Sequence, residues 1–328
     1  MNRLLSLCVC VFAALMLAAC DRGSSSSTTQ PTGAAGGRRI AVIPKGTTHV
    51  FWKTVEAGAR KAAEEAGVEM IWKGPLKEDD RAEQIKVVEQ FVSEGVDGIC
   101  LAPLDTDALA RPVASAVARG IPVVIFDSSL RGEPGKDFAS YVATNNTRGG
   151  EMAGEQLAKL LGGKGNVVML RYSPGSGSTT EREEGFLKTA QAGGLTMLVD
   201  NRYGGATVAS AKSEAMKLID QLKQADGVFA PNESSTLGLL GALRDNQLAG
   251  KVKFVGFDAT PPLLEALQNG EIHALVAQDP YRMGYLAVQT VVKKLNGETV
   301  EPVIDTGLRL ITKESLQDSE TRKFLNLD

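Results

Sequence analysis

From Arg38 onward, short apolar runs rich in β-branched residues alternate with longer segments whose apolar positions recur every three or four residues. The runs at 40–43, 68–72, 98–101, 123–126, 141–143, 167–170, 195–199, 228–230, 254–255 and 274–276 read as strands. They are continuous rather than alternating, as parallel strands covered on both faces must be. Between them the spacing predicts helices. One spans 54–66, with Val55, Ala59, Ala62, Ala63 and Ala66 on a stripe and Gly67 as its stop. Another spans 206–223, with Val208, Ala211, Ala215, Leu218, Ile219 and Leu222 on one face. A β-α rhythm repeated along the chain predicts an α/β fold with doubly wound parallel sheets, and there are enough strands for two. Ligands in such folds bind beyond the carboxyl ends of the strands. The positions to inspect are therefore 45–52, Asp127, 171–182, Asn232, Asp258 and Gln278.

Those positions carry carbohydrate chemistry. A sugar presents a ring of hydroxyls, each a donor and an acceptor, and a C–H face. Planar bidentate groups, charged partners and aromatic plates suit it. Asp127 and Asp258 accept, Arg182 donates as a fork, Asn232 and Gln278 do both, and Phe51 and Trp52 offer flat apolar surface. Each also has an ordinary structural reading. Asp127 could start a turn, and Asp258 could cap the helix after it. Arg182, flanked by Glu181 and Glu183, could be a solvated helix charge, and Phe51 and Trp52 could be core.

The rest of the chain narrows the class. Residues 4–17 form an apolar stretch, too short to span a bilayer and preceded by Arg3. It ends in Leu17-Ala18-Ala19-Cys20, which resembles the bacterial lipobox. Residues 1–19 are thus expected to be a lipoprotein signal peptide, with Cys20 lipidated and 20–37, rich in Ser and Gly, a flexible tether. The expected location is the cell envelope, at a periplasmic or extracytoplasmic membrane face, with the lipid as the sole membrane contact. Asp21 resembles the inner-membrane retention signal of enteric lipoproteins. Cys8 and Cys10 fall in the signal, and Cys100, in an apolar run, reads as a buried structural thiol. A net charge of −3, with no basic run longer than two residues, speaks against a nucleic-acid partner. Only His49 and His273 are present, without metal-ligand spacing. Gly162-Gly163-Lys164-Gly165 lacks the hydroxyl residue of a P-loop, and no nucleophile elbow occurs. The loop 173–178 could cradle an anion or simply turn. The expectation is a binding protein without cofactor or metal, not an enzyme.

Seven segments in order then carry a resemblance: Ile40-Ala41-Val42-Ile43 with Phe51-Trp52, Ala102 to Asp107, Ile121 to Asp127, Glu181 to Phe186, Phe229 to Glu233, Val255 to Asp258, and Ala277-Gln278. Together they resemble the ribose-binding family of periplasmic sugar-binding proteins, which serve ABC transporters. The resemblance implies two lobes joined by three crossovers near 144–146, 278–280 and 306–308. One lobe would be 38–144 plus 279–306, the other 145–278 plus 307–328, with a monosaccharide or sugar-like solute captured between them by a monomer. It implies Phe51, Trp52, Asp127, Arg182, Asn232, Phe257, Asp258 and Gln278 as ligand contacts and an ABC permease as partner. A sensor that presents its liganded form to a chemoreceptor or histidine kinase would use the same cleft. Several positions depart from ribose binders. Pro44-Lys45 resembles the rhamnose- and autoinducer-2-binding branch, where the Lys reaches the ligand. His49 and Ala102 replace family Asn residues, Ser128 replaces an Arg, and an aromatic expected in 203–207 is missing. Lys45 would either meet a carbonyl or carboxylate of the ligand or neutralise Asp127.

Overall fold

A computed structural model describes residues 37–327, so the expected signal peptide, the expected lipidation site at Cys20 and all but the end of the expected tether lie outside the described residues. In chain order β1 (Arg39–Ile43), α1 (Val50–Ala66), β2 (Glu69–Trp72), α2 (Arg81–Glu94), β3 (Gly98–Leu101), α3 (Ala110–Ala118), β4 (Val123–Phe126) and β5 (Ser140–Ala143) build the first sheet with its helices. Then α4 (Asn146–Leu160), β6 (Gly165–Arg171), α5 (Gly177–Ala192), β7 (Leu195–Tyr203), α6 (Val208–Lys217) and α7 (Ile219–Leu222) begin the second layer system. It continues with β8 (Gly227–Phe229), α8 (Glu233–Asp245), β9 (Lys253–Phe257), α9 (Pro261–Gln268) and β10 (Ala274–Gln278). The tail supplies α10 (Pro280–Leu295), β11 (Val303–Asp305), β12 (Leu308–Ile311) and α11 (Ser319–Phe324).

The strands form two six-stranded sheets of matching order, β2-β1-β3-β4-β5-β11 and β7-β6-β8-β9-β10-β12. Side chains divide between the two faces with a period of two. Ile40 and Val42 of β1 join one core cluster with Val55 and Val288, while Ala41 and Ile43 join another with Val88 and Phe91. Both faces are thus covered, which is why the strands read as unbroken apolar runs.

The chain passes between the sheets after β5, after β10 and between β11 and β12. The last passage explains a difference between them. β11 runs parallel to β5, whereas β12 runs antiparallel to β10. A chain that leaves one sheet along its strands and goes straight on enters the facing sheet against that sheet's strands. The backbone holds two passages together: Thr306 N–H donates to Ala143 O at 3.0 Å, and the hydroxyls of Thr144 and Thr306 are 3.4 Å apart.

Each sheet carries helices packed through glycines. A Cβ on Gly58 of α1 would meet Tyr281 O of α10 at 1.9 Å, and a Cβ on Gly150 of α4 would meet Arg182 O of α5 at 1.9 Å. Only glycine permits such approaches.

Three local expectations needed revision, while the buried thiol expected at Cys100 is found. α1 begins at Val50, so Phe51 and Trp52 lie in its first turn rather than in a preceding loop. The helix expected over 206–223 breaks at Leu218, whose N–H turns to Ala215 O at 3.0 Å in a tighter turn. Ala211, Ala215, Leu218 and Leu222 still share one core cluster, but Val208 is exposed. β11 and β12 were not anticipated, because strands this short with Val303 61% exposed leave no apolar run to read. Cys100 is free and buried, its Sγ 3.4 Å from Ala287 O, and burial pushes its thiol far above the ordinary range.

Candidate ligand-binding site

The carboxyl ends of both sheets face a cleft between them. Nine of the ten positions singled out from sequence line it: Lys45, His49, Phe51, Trp52, Asp127, Arg182, Asn232, Asp258 and Gln278. Phe257 lies behind it, fully buried at the end of β9, with its ring 4.0 Å from the Arg182 guanidinium carbon. There it plates the face of the cation.

Two aspartates are presented by the same backbone device. Asp127 after β4 and Asp258 after β9 have φ of 62° and 71°, and their N–H groups bond Val142 O and Val276 O of the adjacent strands. A left-handed Asp turns its side chain off the strand end and into the cleft. Asp258 does not cap α9, whose N-cap is Thr260; its Oδ2 instead accepts from the Glu233 N–H at 2.7 Å, at the start of α8.

On the first sheet's side, Lys45 Nζ is 3.0 Å from Asp127 Oδ2, both buried. The same ammonium donates to Ser178 Oγ at 3.0 Å and Ser176 Oγ at 3.4 Å across the cleft. The expectation that Lys45 neutralises Asp127 describes this contact.

On the second sheet's side, Arg182 is 2% exposed rather than a solvated helix charge. It donates to Asn146 Oδ1 at 2.9 Å, Pro231 O at 2.9 Å and Gln278 Oε1 at 2.7 Å, and Gln278 Nε2 donates onward to Asp258 Oδ1 at 2.7 Å. Burial lowers the Arg182 pKa, against which Asp258 and Asp127 hold the charge. Burial raises that of Asp258, and Arg182 and Gln278 oppose it. Asn232 caps α8 by accepting from Ser235 N–H at 3.2 Å.

The aromatic pair comes from the first turn of α1. Phe51 and Trp52 meet edge to face with centroids 5.0 Å apart, and Trp52 meets Phe126 likewise at 6.3 Å. They belong to the core cluster and to the cleft wall at once, so the two readings offered for them both describe the structure.

Sequence reading missed Glu78 and Glu233 and did not single out Tyr172, Ser178 and Thr179 within 171–182; all five also line the cleft. Glu78 sits in Lys77-Glu78-Asp79-Asp80, which looks like a solvated charge run. It is buried, and its carboxylate collects Trp52 Nε1 at 2.6 Å, His49 Nδ1 at 2.6 Å and the Tyr172 hydroxyl at 2.7 Å. Burial works to raise the Glu78 pKa, but His49, Lys45 and Tyr172 hold it below the ordinary carboxylate value. Burial likewise opposes the His49 charge, yet Glu78, with Glu233 and Asp258, raises the imidazole above its usual pKa. Glu233 accepts from Phe51 N–H at 3.1 Å, the uncapped N-terminus of α1 on the other side of the cleft. Burial and the neighbouring Asp258 push its carboxyl up to about 7. Tyr172 lies within the segment 171–182 already under inspection and Glu233 directly follows Asn232, which was the available signal.

Asn146, within the crossover expected near 144–146 but not expected at the site, joins the cleft to that passage between the sheets. It opens α4, accepts from Arg182 Nε, and its Nδ2 lies 3.5 Å from Asp127 O. Among the described residues, no group of three or more His, Cys, Asp or Glu is placed to hold a metal ion.

Two lobes of equal topology with a ring of buried, mutually hydrogen-bonded polar groups between them define a solute-binding protein. The family comparison agrees: the model of the periplasmic binding protein domain matches residues 40–299. The ribose import binding protein of Haemophilus influenzae is 30% identical over 295 residues, 88% of this chain and 94% of that one. A carbohydrate transporter solute-binding protein from Agrobacterium radiobacter, solved with D-arabinose, shares 34% identity at a TM-score of 0.84, covering 90% of this chain and 100% of its own. One from Agrobacterium vitis, with bound D-fucose, shares 33% at 0.83 over 87% and 98%. The chain belongs to the periplasmic binding protein family, in its type I, ribose-binding group of sugar-binding proteins. Its relatives are transport binding proteins, not enzymes.

Proposed function

We propose that this chain is the substrate-binding component of an ABC-type sugar importer, held to a membrane of the cell envelope by a lipid on Cys20, and that it captures one monosaccharide as a monomer by closing two lobes, 38–144 plus 279–306 and 145–278 plus 307–328. The observation that carries the reading is the set of buried planar groups, Arg182, Gln278, Asn232 and the two left-handed aspartates, brought by both lobes onto one aromatic-walled cleft. Such groups suit a ring of hydroxyls, and bound D-arabinose and D-fucose in similar proteins support the class. Closure brings the lobes into direct contact, as where Ser178 N–H meets Ser128 Oγ at 3.0 Å, and so builds a surface that a permease can distinguish from the open form.

A thermal-shift screen of the purified protein against pentoses, hexoses and deoxyhexoses tests this. A sugar at a hundred times its Kd stabilises the fold by about 2.7 kcal/mol. A hit that Arg182→Ala abolishes, together with lost uptake of that sugar in a gene deletion, is the expected result. No shift with any sugar overturns it.

A further inference from the structure

We infer that Glu233 makes the cleft selective for uncharged sugars and closes it to sugar acids. The inference rests on the sugar-capture reading and deepens it. Among the described residues, four carboxylates line the cleft, Glu78, Asp127, Glu233 and Asp258, against three basic groups, Lys45, Arg182 and His49. Each basic group is already committed. Lys45 contacts Asp127 and His49 contacts Glu78, while Arg182 is linked to Asp258 through Gln278.

Glu233 is left without a basic side chain of its own. It is 7% exposed, and Oε2 takes the Phe51 N–H while Oε1 takes no hydrogen bond from the described residues. That oxygen is a free acceptor in the wall of the cleft. The compensation available to it is the meeting of two helix N-termini, α1 through Phe51 N–H and its own α8. Each supplies roughly half a positive charge, and Asp258 shares the second. With Glu233 ionised, four carboxylates face three basic groups and the N-termini of α1 and α8, with that of α5 presented through Ser178 and Thr179.

A neutral ligand adds no charge to this site, and its hydroxyl can donate to Glu233 Oε1. A ligand carboxylate adds a buried charge for which no counter-ion remains, and an uncompensated buried charge is heavily disfavoured. The raised Glu233 pKa is the same crowding seen from within: burial and Asp258 already make one more negative charge hard to hold there.

The test uses matched pairs that differ at C6, D-fucose with D-galacturonate and D-glucose with D-glucuronate, measured by calorimetry on the whole protein. For whichever neutral sugar binds, the wild type should bind its acid at least about 100-fold more weakly. Glu233→Gln keeps an acceptor for Phe51 N–H but removes the charge, and should narrow that ratio to less than about tenfold. Glu271→Gln makes the same charge change on the exposed Arg244 pair and should leave the ratio where it was. Circular dichroism and melting establish that each variant is folded. An acid bound as tightly as its neutral partner by the wild type overturns the inference, as does a folded Glu233→Gln protein with an unchanged ratio. A wild type that binds neither member of any pair nor any other sugar overturns the sugar-capture reading itself.

Discussion

Asp127 and Asp258 occupy equivalent places in the two lobes, and their surroundings treat the same charge in different ways. Each follows a buried strand, adopts a left-handed backbone and hydrogen-bonds the next strand. Asp127 has a direct counter-ion, Lys45 at 3.0 Å, drawn from its own lobe. Asp258 is held by Gln278 Nε2 and by the backbone of Glu233, with the Arg182 cation one hydrogen bond further away. One lobe therefore contributes a directly paired carboxylate, while the other crowds two carboxylates, both with raised pKa, at one helix N-terminus. Duplicated backbone geometry positions a carboxylate in each lobe, but the partners decide how it behaves.

Removing the paired aspartate should hurt most. Asp127→Ala leaves the Lys45 ammonium buried beside two serine hydroxyls, and should cost about 3–5 kcal/mol in urea unfolding. If it costs less than about 1 kcal/mol, the ion pair is not the anchor of its lobe.

Glu233→Gln comes next, and its sign depends on pH. The folded carboxyl titrates at about 7, against 4.5 for an ordinary one. Its folded pKa is raised, so its contribution is intact below pH 4.5 and is lost as pH rises through about 7. The variant should be more stable than wild type at pH 8, by on the order of 3 kcal/mol, and nearly equal to it at pH 4.5. Equal melting curves for the two proteins across that range would remove the second lobe's titrating character.

The glycine pairs allow a matched comparison. Gly58→Ala and Gly150→Ala force equal clashes in the two lobes, each expected to cost about 1–3 kcal/mol. Gly150 bears on the backbone of Arg182, so only its substitution should also weaken sugar binding, by about tenfold. Equal affinity losses would mean that general loosening, not Arg182 placement, is what the mutations report.

Tyr172→Phe is the mildest change. It removes one bond between the lobes and leaves Glu78 two other donors, so a loss of about 1 kcal/mol is expected, seen as a roughly fivefold faster sugar off-rate in stopped flow. An unchanged off-rate would show that Glu78 and Tyr172 do not hold the closed form.

The sequence by itself determined the layered architecture, because two-sided burial writes a strand as an unbroken apolar run and a helix as a stripe. It also marked most of the cleft, since residues after strands must gather at the sheets' carboxyl ends. What escaped it depended on contacts distant in the chain. Glu78 meets Tyr172 from 94 residues away, and Glu233 meets the Phe51 N–H from 182 residues away. Nothing local separates such carboxylates from a solvated acidic run. The same holds for β11 and β12, whose pairing follows from the last passage of the chain between the sheets rather than from their own residues. Periodicity records which face of an element is buried. Which charge meets which is settled only when the lobes come together, because an electrostatic partner is chosen by distance in space.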